Sequence, residues 1–297
     1  MPTIVNYTTF QTKINLFLSK TLVLFTRVRL SPKPEGVEFS LSGTMIKNIL
    51  VAIGDTDYEK NAFEYAGQLA VLLGTHLSCV FFQDSSHGGN ADVAATVLRR
   101  TEAECSLYDF LDYHVESIAG NPRQMICEQA HSADLVVVGL PEDVRKRRLK
   151  LIQNQIDDVL QHITRPIIVV HEQCTLLRKI LAVHHGDTYS DHALGLVAEI
   201  GELTKAGILG LALSSTQPEA TQIKQQMEAY LKYYDVQTDF LTARGFTVAN
   251  ILENAEENDC DLIALSASHH GRLYELVFQS TTQTVVKLAN RAVLVTR

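Results

Sequence analysis

The sequence predicts an α/β fold of parallel strands covered by helices on both sides, built twice in tandem. Three observations predict it. Segments recur at a spacing of roughly 125–130 residues, the size of one ordinary domain: KNILVAIGDT at 47–56 returns as RKILAVHHGDT at 178–188, ADLVVVG at 133–139 as CDLIALS at 260–266, and RPIIVV at 165–170 as NRAVLV at 290–295. Short apolar, β-branched runs alternate with longer amphipathic patterns inside each copy. Turn and cap residues punctuate them where a strand hands over to a helix.

In the first copy, Ile49–Ile53 reads as a buried strand ending at Gly54. Thr56-x-x-Glu59 is a capping-box pattern. Ala62, Phe63, Ala66, Leu69, Ala70 and Leu73 make one helical face, which Gly74 closes. His76–Phe82 is the second strand, and 84–90 is a polar loop. A helix is expected from Ala91 to about Tyr113, and a short strand over Val115–Ile118. Gly120-Asn121-Pro122 breaks the chain, with Pro122 suited to a helix's first turn. Leu135–Val138 is a buried strand. Leu149, Ile152, Ile156, Val159, Leu160 and Ile163 mark a long helix, and Ile167–Val170 a last strand. The second copy repeats the order: strand Ile180–His184, helix Tyr189 to Lys205, strand Ile208–Leu213, helix Gln217 to Tyr234, strand Gln237–Leu241, helix Thr247 to Asn258, strand Leu262–Leu265, helix Leu273 to Ala289 and strand Val293–Val295. The expected domains are 45–172 and 178–297, joined by a linker so short that they must lie side by side.

The 297 residues suffice for two cores, and 46% of them are apolar. A net charge of −8 argues against nucleic acid as a partner, and the sequence has no apolar run of ~18 residues that would cross a membrane. Five scattered cysteines without a CxxC read as reduced thiols of a cytoplasmic protein. Residues 1–44 stand apart, with five basic and two acidic residues. They suit a targeting segment, a short membrane-surface segment, or a stretch that does not belong to the natural protein because its start is mis-assigned. Met45, four residues before the first strand, favours the last; in every reading the segment is expected to pack poorly on the two domains.

The five pieces in order, twice over, resemble the universal stress protein family. The resemblance covers nearly all of 45–172 and 178–297. It implies an adenine-nucleotide-hydrolase-like (Rossmann-like) open sheet of order 3-2-1-4-5 in each copy. It also implies pairing between the last strands of two domains, so Ile167–Val170 would meet Val293–Val295 and make an intrachain pseudo-dimer without free edges there.

Many members of that family bind ATP through an Asp ending the first strand and a Gly-x-x-Gly-x9-Gly-Ser/Thr stretch after the fourth. Glycines there let backbone N–H groups approach phosphates. Both copies depart from this. Gly139 keeps the first glycine place, but Glu142 and Ile152 take the next two, and Gln153 follows. In the second copy Ser266, His269 and Gln279 replace the glycines, and only Ser280 fits. Gly54 and His185 replace the Asp, with Asp55 and Asp187 one or two residues on. The expectation is therefore no ATP and no other cofactor. Helix capping accounts for Asp55 and Asp187.

Two further clusters carry side chains suited to ligands. His184-His185, His192 and His269-His270, with Asp187, converge on the second switch point, where ligands bind in such sheets. They suit either a transition-metal or anion site or a polar filling of an abandoned cleft. Only one histidine of each pair can aim inward, and the sequence has no HxxxH helix; the filling is favoured and no metal is expected. Arg145, Lys146, Arg147, Arg148 and Lys150 read as a solvated helix face rather than a phosphate grip. No nucleophile elbow, Walker loop or zincin helix is present. The expected function is a non-enzymatic stress-response protein acting through protein contacts with partners the sequence does not name, and through self-association, a homodimer included. Two alternatives are a nucleotide- or anion-binding sensor with a degenerate cleft, and a histidine-lined metal site; a hydrolase is the weakest reading.

Overall fold

The computed structural model describes residues 45–84, 91–107, 112–140, 150–171, 177–267 and 274–297; the 1–44 segment and the 172–176 linker lie outside them. Ten strands form one sheet. They are β1 (Asn48–Ile53), β2 (His76–Asp84), β3 (Tyr113–Gly120), β4 (Leu135–Gly139), β5 (Ile167–Val170), β6 (Lys179–His184), β7 (Gly207–Ser214), β8 (Thr238–Arg244), β9 (Leu262–Ser266) and β10 (Ala292–Thr296). The helices described between them are α1 (Asp57–Leu73), α2 (Ala91–Cys105), α3 (Pro122–Ala130), α4 (Lys150–His162), α5 (Thr188–Thr204), α6 (Gln217–Leu231), α7 (Val248–Glu257) and α8 (Tyr274–Leu288).

The strand order is β3-β2-β1-β4-β5-β10-β9-β6-β7-β8. Each half is thus the expected 3-2-1-4-5 sheet, and every pairing within a half is parallel. The halves meet at one antiparallel seam, where Val169, Ile168 and Ile167 face Val293, Leu294 and Val295. Both β5 and β10 are fully buried, which is why they are apolar apart from Thr296 at the end of β10. Lys287 Nζ, 2.6 Å from Asp157 Oδ2, and Met45 N, 2.6 Å from Glu199 Oε1, add polar links between the halves.

One continuous sheet explains the two core layers. Ile49, Val51 and Ile53 pack with α1 and α2, and Ile180 and Ala182 with α5 and α6. Leu50, Leu181 and Val183 point the other way, toward α3, α4, α7 and α8. The recurring Asp has a structural task in both copies. Asp134 Oδ2 accepts from the amides of Lys47 (2.8 Å) and Asn48 (3.0 Å), and Asp261 Oδ2 from those of Arg178 (2.9 Å) and Lys179 (3.1 Å). Each carboxylate ties the start of a half's first strand to the start of its fourth.

The helix expected from Ala91 to about Tyr113 is a correction. It ends at Cys105, where the Ser106 hydroxyl donates back to Glu102 O (2.7 Å) and lies 2.9 Å from the Tyr113 hydroxyl. Tyr113 already belongs to β3, in register with Leu77. Amphipathic spacing persisted across the junction, but the ladder to β2 decided it. The helix expected to reach Tyr234 likewise stops at Leu231.

Candidate functional site

Both switch points, between the carboxyl ends of β1 and β4 and of β6 and β9, lie at the start of the helix that follows the half's first strand. In the first half that helix is α1, capped by Thr56, whose amide donates to Glu59 Oε2 at 3.0 Å. The first turn is pressed onto β4. A Cβ placed on Gly139 would lie 2.2 Å from Tyr58 O. Gly139 is therefore glycine because α1 backbone leaves no room for a side chain there. The Glu59 carboxylate fills the other gap, since a Cβ on Gly54 would lie 2.1 Å from Glu59 Cδ. It brings a negative charge to the place where a triphosphate would need donors. Burial and the adjacent Glu59 carboxylate push the Tyr58 hydroxyl above its ordinary pKa.

Asp55 does not cap α1, contrary to expectation. Thr56 takes that place, and Asp55 is tied outside the cleft by Arg100 (Nη1–Oδ1 2.9 Å) and Lys60 (3.4 Å). The nearby Lys60 ammonium holds its carboxyl below the usual range despite some desolvation.

The second half reaches closure by different atoms. Aligning the strands sets His185 opposite Gly54 and Ser190 opposite Glu59, a small-large pair replaced by a large-small one. His185 Nδ1 is 3.0 Å from Ser190 Oγ, and its Nε2 is 3.1 Å from Asp187 Oδ2. Ser190 Oγ continues to Ser266 Oγ at 3.1 Å, so a hydrogen-bonded chain crosses the gap between β6 and β9. Phe246 lies over the imidazole, with ring centroids 5.0 Å apart. Asp187 caps α5 as expected, accepting from the Ser190 amide at 2.8 Å. Burial alone would raise its pKa; hydrogen bonds from His185 and from the Ser190 amide and hydroxyl outweigh that and hold it well below the usual carboxylate range. The Asp–His–Ser order matches a hydrolase relay, but Ser190 is 1% exposed and its hydroxyl is already bonded on two sides. No substrate carbonyl reaches it.

His184 points to the opposite face. Its Nδ1 accepts from the Gly186 amide (3.0 Å), which leaves Nε2–H to donate to Asp191 Oδ1 (3.0 Å). Burial lowers its pKa against the pull of Asp191. The sign follows: above about pH 6.5 the imidazole is neutral folded and unfolded. Below that the unfolded chain binds a proton that the native one resists, and stability falls. Asp187 adds a second loss as pH drops below the unfolded carboxyl value of about 3.9. In urea titrations between pH 7.5 and 5, we expect His184→Asn to lose less stability on acidification than the wild type. The difference is at most about 1.4 kcal/mol per pH unit; parallel profiles would disprove the assignment.

His192 is exposed on α5, outside this network. Among the described residues, no three His, Cys, Asp or Glu gather as a metal site. Glu142, His269, His270 and the basic run 145–148 lie outside the described residues, as do the side chains of Lys150, Ile152, Gln153, Gln279 and Ser280. Sequence reading missed Tyr58, Ser190 and Phe246, and gave Glu59 only its capping-box role, which the structure bears out. The available signal was the Glu59-for-Ser190 exchange opposite the Gly54-for-His185 exchange.

Among the described residues, no helix is long and apolar enough to cross a membrane. No curated protein matches the sequence. Solved structures do. A universal stress protein from Archaeoglobus fulgidus DSM 4304 aligns with TM-score 0.68 and 14% identity over 86% of this chain and 98% of its own. A protein of unknown function from Pseudomonas aeruginosa PAO1 aligns with TM-score 0.62 and 17% identity, over 84% and 92%. The cytoplasmic domain of a prokaryotic cation chloride cotransporter aligns with TM-score 0.55 and 9% identity, over 84% and 95%. At these identities the likeness is one of fold. The family model for universal stress proteins matches residues 45–171, which hold the whole first half-sheet, and 205–297, which hold β7 to β10 of the second and begin after β6 and α5. With the strand order found twice and the family model matched in both halves, the chain belongs to the universal stress protein family.

Proposed function

We propose that this chain is a non-enzymatic stress-response protein of the cytoplasm that works through protein contacts as an intrachain pseudo-dimer and binds no triphosphate in the manner of its ATP-binding relatives. The observation that carries the reading is what lines both switch points: in one half Tyr58 backbone against Gly139 and the Glu59 carboxylate against Gly54, in the other the His185–Ser190–Ser266 chain. The β5–β10 seam supports the pseudo-dimer, since it gives each half the strand neighbour that a separate subunit would otherwise supply. Surfaces away from the seam are left for further self-association and for protein partners.

The test is thermal unfolding with ATP, ADP, AMP and cyclic nucleotides, each with and without Mg²⁺. A ligand that binds only the native state raises the transition temperature. We expect no shift for ATP at millimolar concentration. A rise for ATP, or ATP extracted from freshly purified protein, would overturn the reading in favour of a nucleotide sensor.

A further inference from the structure

The β5–β10 seam pairs two strands that would otherwise be edges, and the sheet ends instead at β3 and β8. Among the described residues, no strand pairs with the outer side of β3. The ladder to β2 fixes which of its peptide groups stay open. Leu77 is in register with Tyr113, and its amide donates to Asp112 O at 2.9 Å. In a parallel ladder this turns the peptide groups of residues 112, 114, 116 and 118 toward β2. Those of Tyr113, Val115, Ser117 and Ala119 point outward. The side chains alternate independently. Tyr113 and Val115 pack on the layer of α1 and α2, while Ile118 belongs to the opposite layer. His114 and Glu116 share the face of Ile118, their side chains 62% and 42% exposed, with Nε2 3.8 Å from Oε2.

A row of outward peptide groups is a template for another strand, and this row is complementary to itself. Consider two copies of β3 antiparallel about a two-fold axis through Val115. Val115 then faces Val115 and Tyr113 faces Ser117, and the outward groups exchange about six hydrogen bonds. His114 of each copy faces Glu116 of the other. These are the non-hydrogen-bonded positions, where opposed Cα atoms come within about 4.5 Å and side-chain pairs count most. An axis through His114 would oppose two imidazoles, and one through Glu116 two carboxylates. At the other end of the sheet, Asp239 and Arg244 of β8 lie five residues apart and so on opposite faces, where no two-fold axis can oppose them. We propose that two copies of this chain associate through β3, joined about Val115 into one continuous sheet with paired His114 and Glu116. The inference rests on the intrachain pseudo-dimer of the proposed function, because the β5–β10 seam is what leaves β3 at an end.

Sedimentation equilibrium of the full chain tests it. A monomer–dimer equilibrium is expected. Val115→Pro removes an outward N–H and no bond to β2, and should weaken the dimer at least ten-fold. His114→Glu opposes carboxylates and should weaken it at least ten-fold as well. Adding Glu116→Lys to that variant turns the pair round and should return the dimer to wild-type strength or better, a rescue that general damage to the strand would not show. Amide exchange in the wild type, a readout that needs no variant, should slow at Tyr113, Val115 and Ser117 as concentration rises. A chain monomeric at millimolar concentration would overturn the proposal. So would a dimer indifferent to Val115→Pro, a double variant no tighter than His114→Glu, or protection that grows at β8 instead. None of these outcomes touches the ATP test or the β5–β10 seam, since both are read within one chain.

Discussion

Replacing Gly139 with alanine should destabilise the protein by about 2–4 kcal/mol, although alanine is ordinarily the gentlest substitution in a strand. The reason is what the new methyl meets. Its nearest neighbours would be Tyr58 O at 2.2 Å and Tyr58 C at 2.6 Å, both backbone. A side chain can rotate away from a clash; a helix's first turn moves only as a unit, and α1 is held by the buried Phe63, Ala66, Leu69 and Ala70. Two controls frame the measurement in urea. Gly67→Ala, in the middle of α1 with nothing within 4 Å of the added carbon, should stabilise by about 0.5–1 kcal/mol. Gly54→Ala meets only the mobile end of Glu59 and should cost about 1 kcal/mol, the worth of the cap it disturbs. If Gly139→Ala fell within 0.5 kcal/mol of wild type, the α1 turn would not be seated on β4. The space for a phosphate would then be open after all.

That result bears on how the cleft was read from sequence. Gly139 is the one glycine of the nucleotide pattern that the first copy keeps. The structure gives it another task, close helix packing. Nothing in a single sequence separates a glycine kept for a ligand from one kept for a neighbouring backbone. The strands were more legible. The runs of the central strands are apolar because both faces are covered, so the order and the repeat stood out; the β5–β10 seam was implied by the family resemblance alone. The α2–β3 junction was not legible. Tyr113 and Val115 alternate with exposed His114 only once paired to β2, a contact across sequence that helical periodicity cannot see.

The histidines show the same limit from the other side. His184 and His185 were visible as a pair that must split between faces. Their partners were not visible, because Asp191 and Ser190 sit on α5 at distances set by the angle between helix and strand. Of that candidate set, His184 and His185 form two separate clamps on the first turns of α5, while His269 and His270 lie outside the described residues.

The second large effect is expected at Asp261, and the repeat sets its scale. Asp261→Ala removes the acceptor of two strand-start amides, Arg178 and Lys179, and of the Arg178 guanidinium at 3.2 Å. The carboxylate is 7% exposed, so water cannot take its place, and hydrogen bonds to a charged acceptor are worth about 1.5–3 kcal/mol each. A loss of about 3 kcal/mol is expected. Asp134→Ala removes the same pair of bonds, to Lys47 and Asn48, from a half-buried site that solvent can enter. It should cost about half as much. Asp261→Asn keeps one acceptor and should fall between the two. Equal losses at Asp134 and Asp261 would mean that burial does not govern the cost. A negligible loss at both would mean that the tie between first and fourth strands, the most faithfully repeated polar feature of the chain, is not what kept these aspartates in both copies.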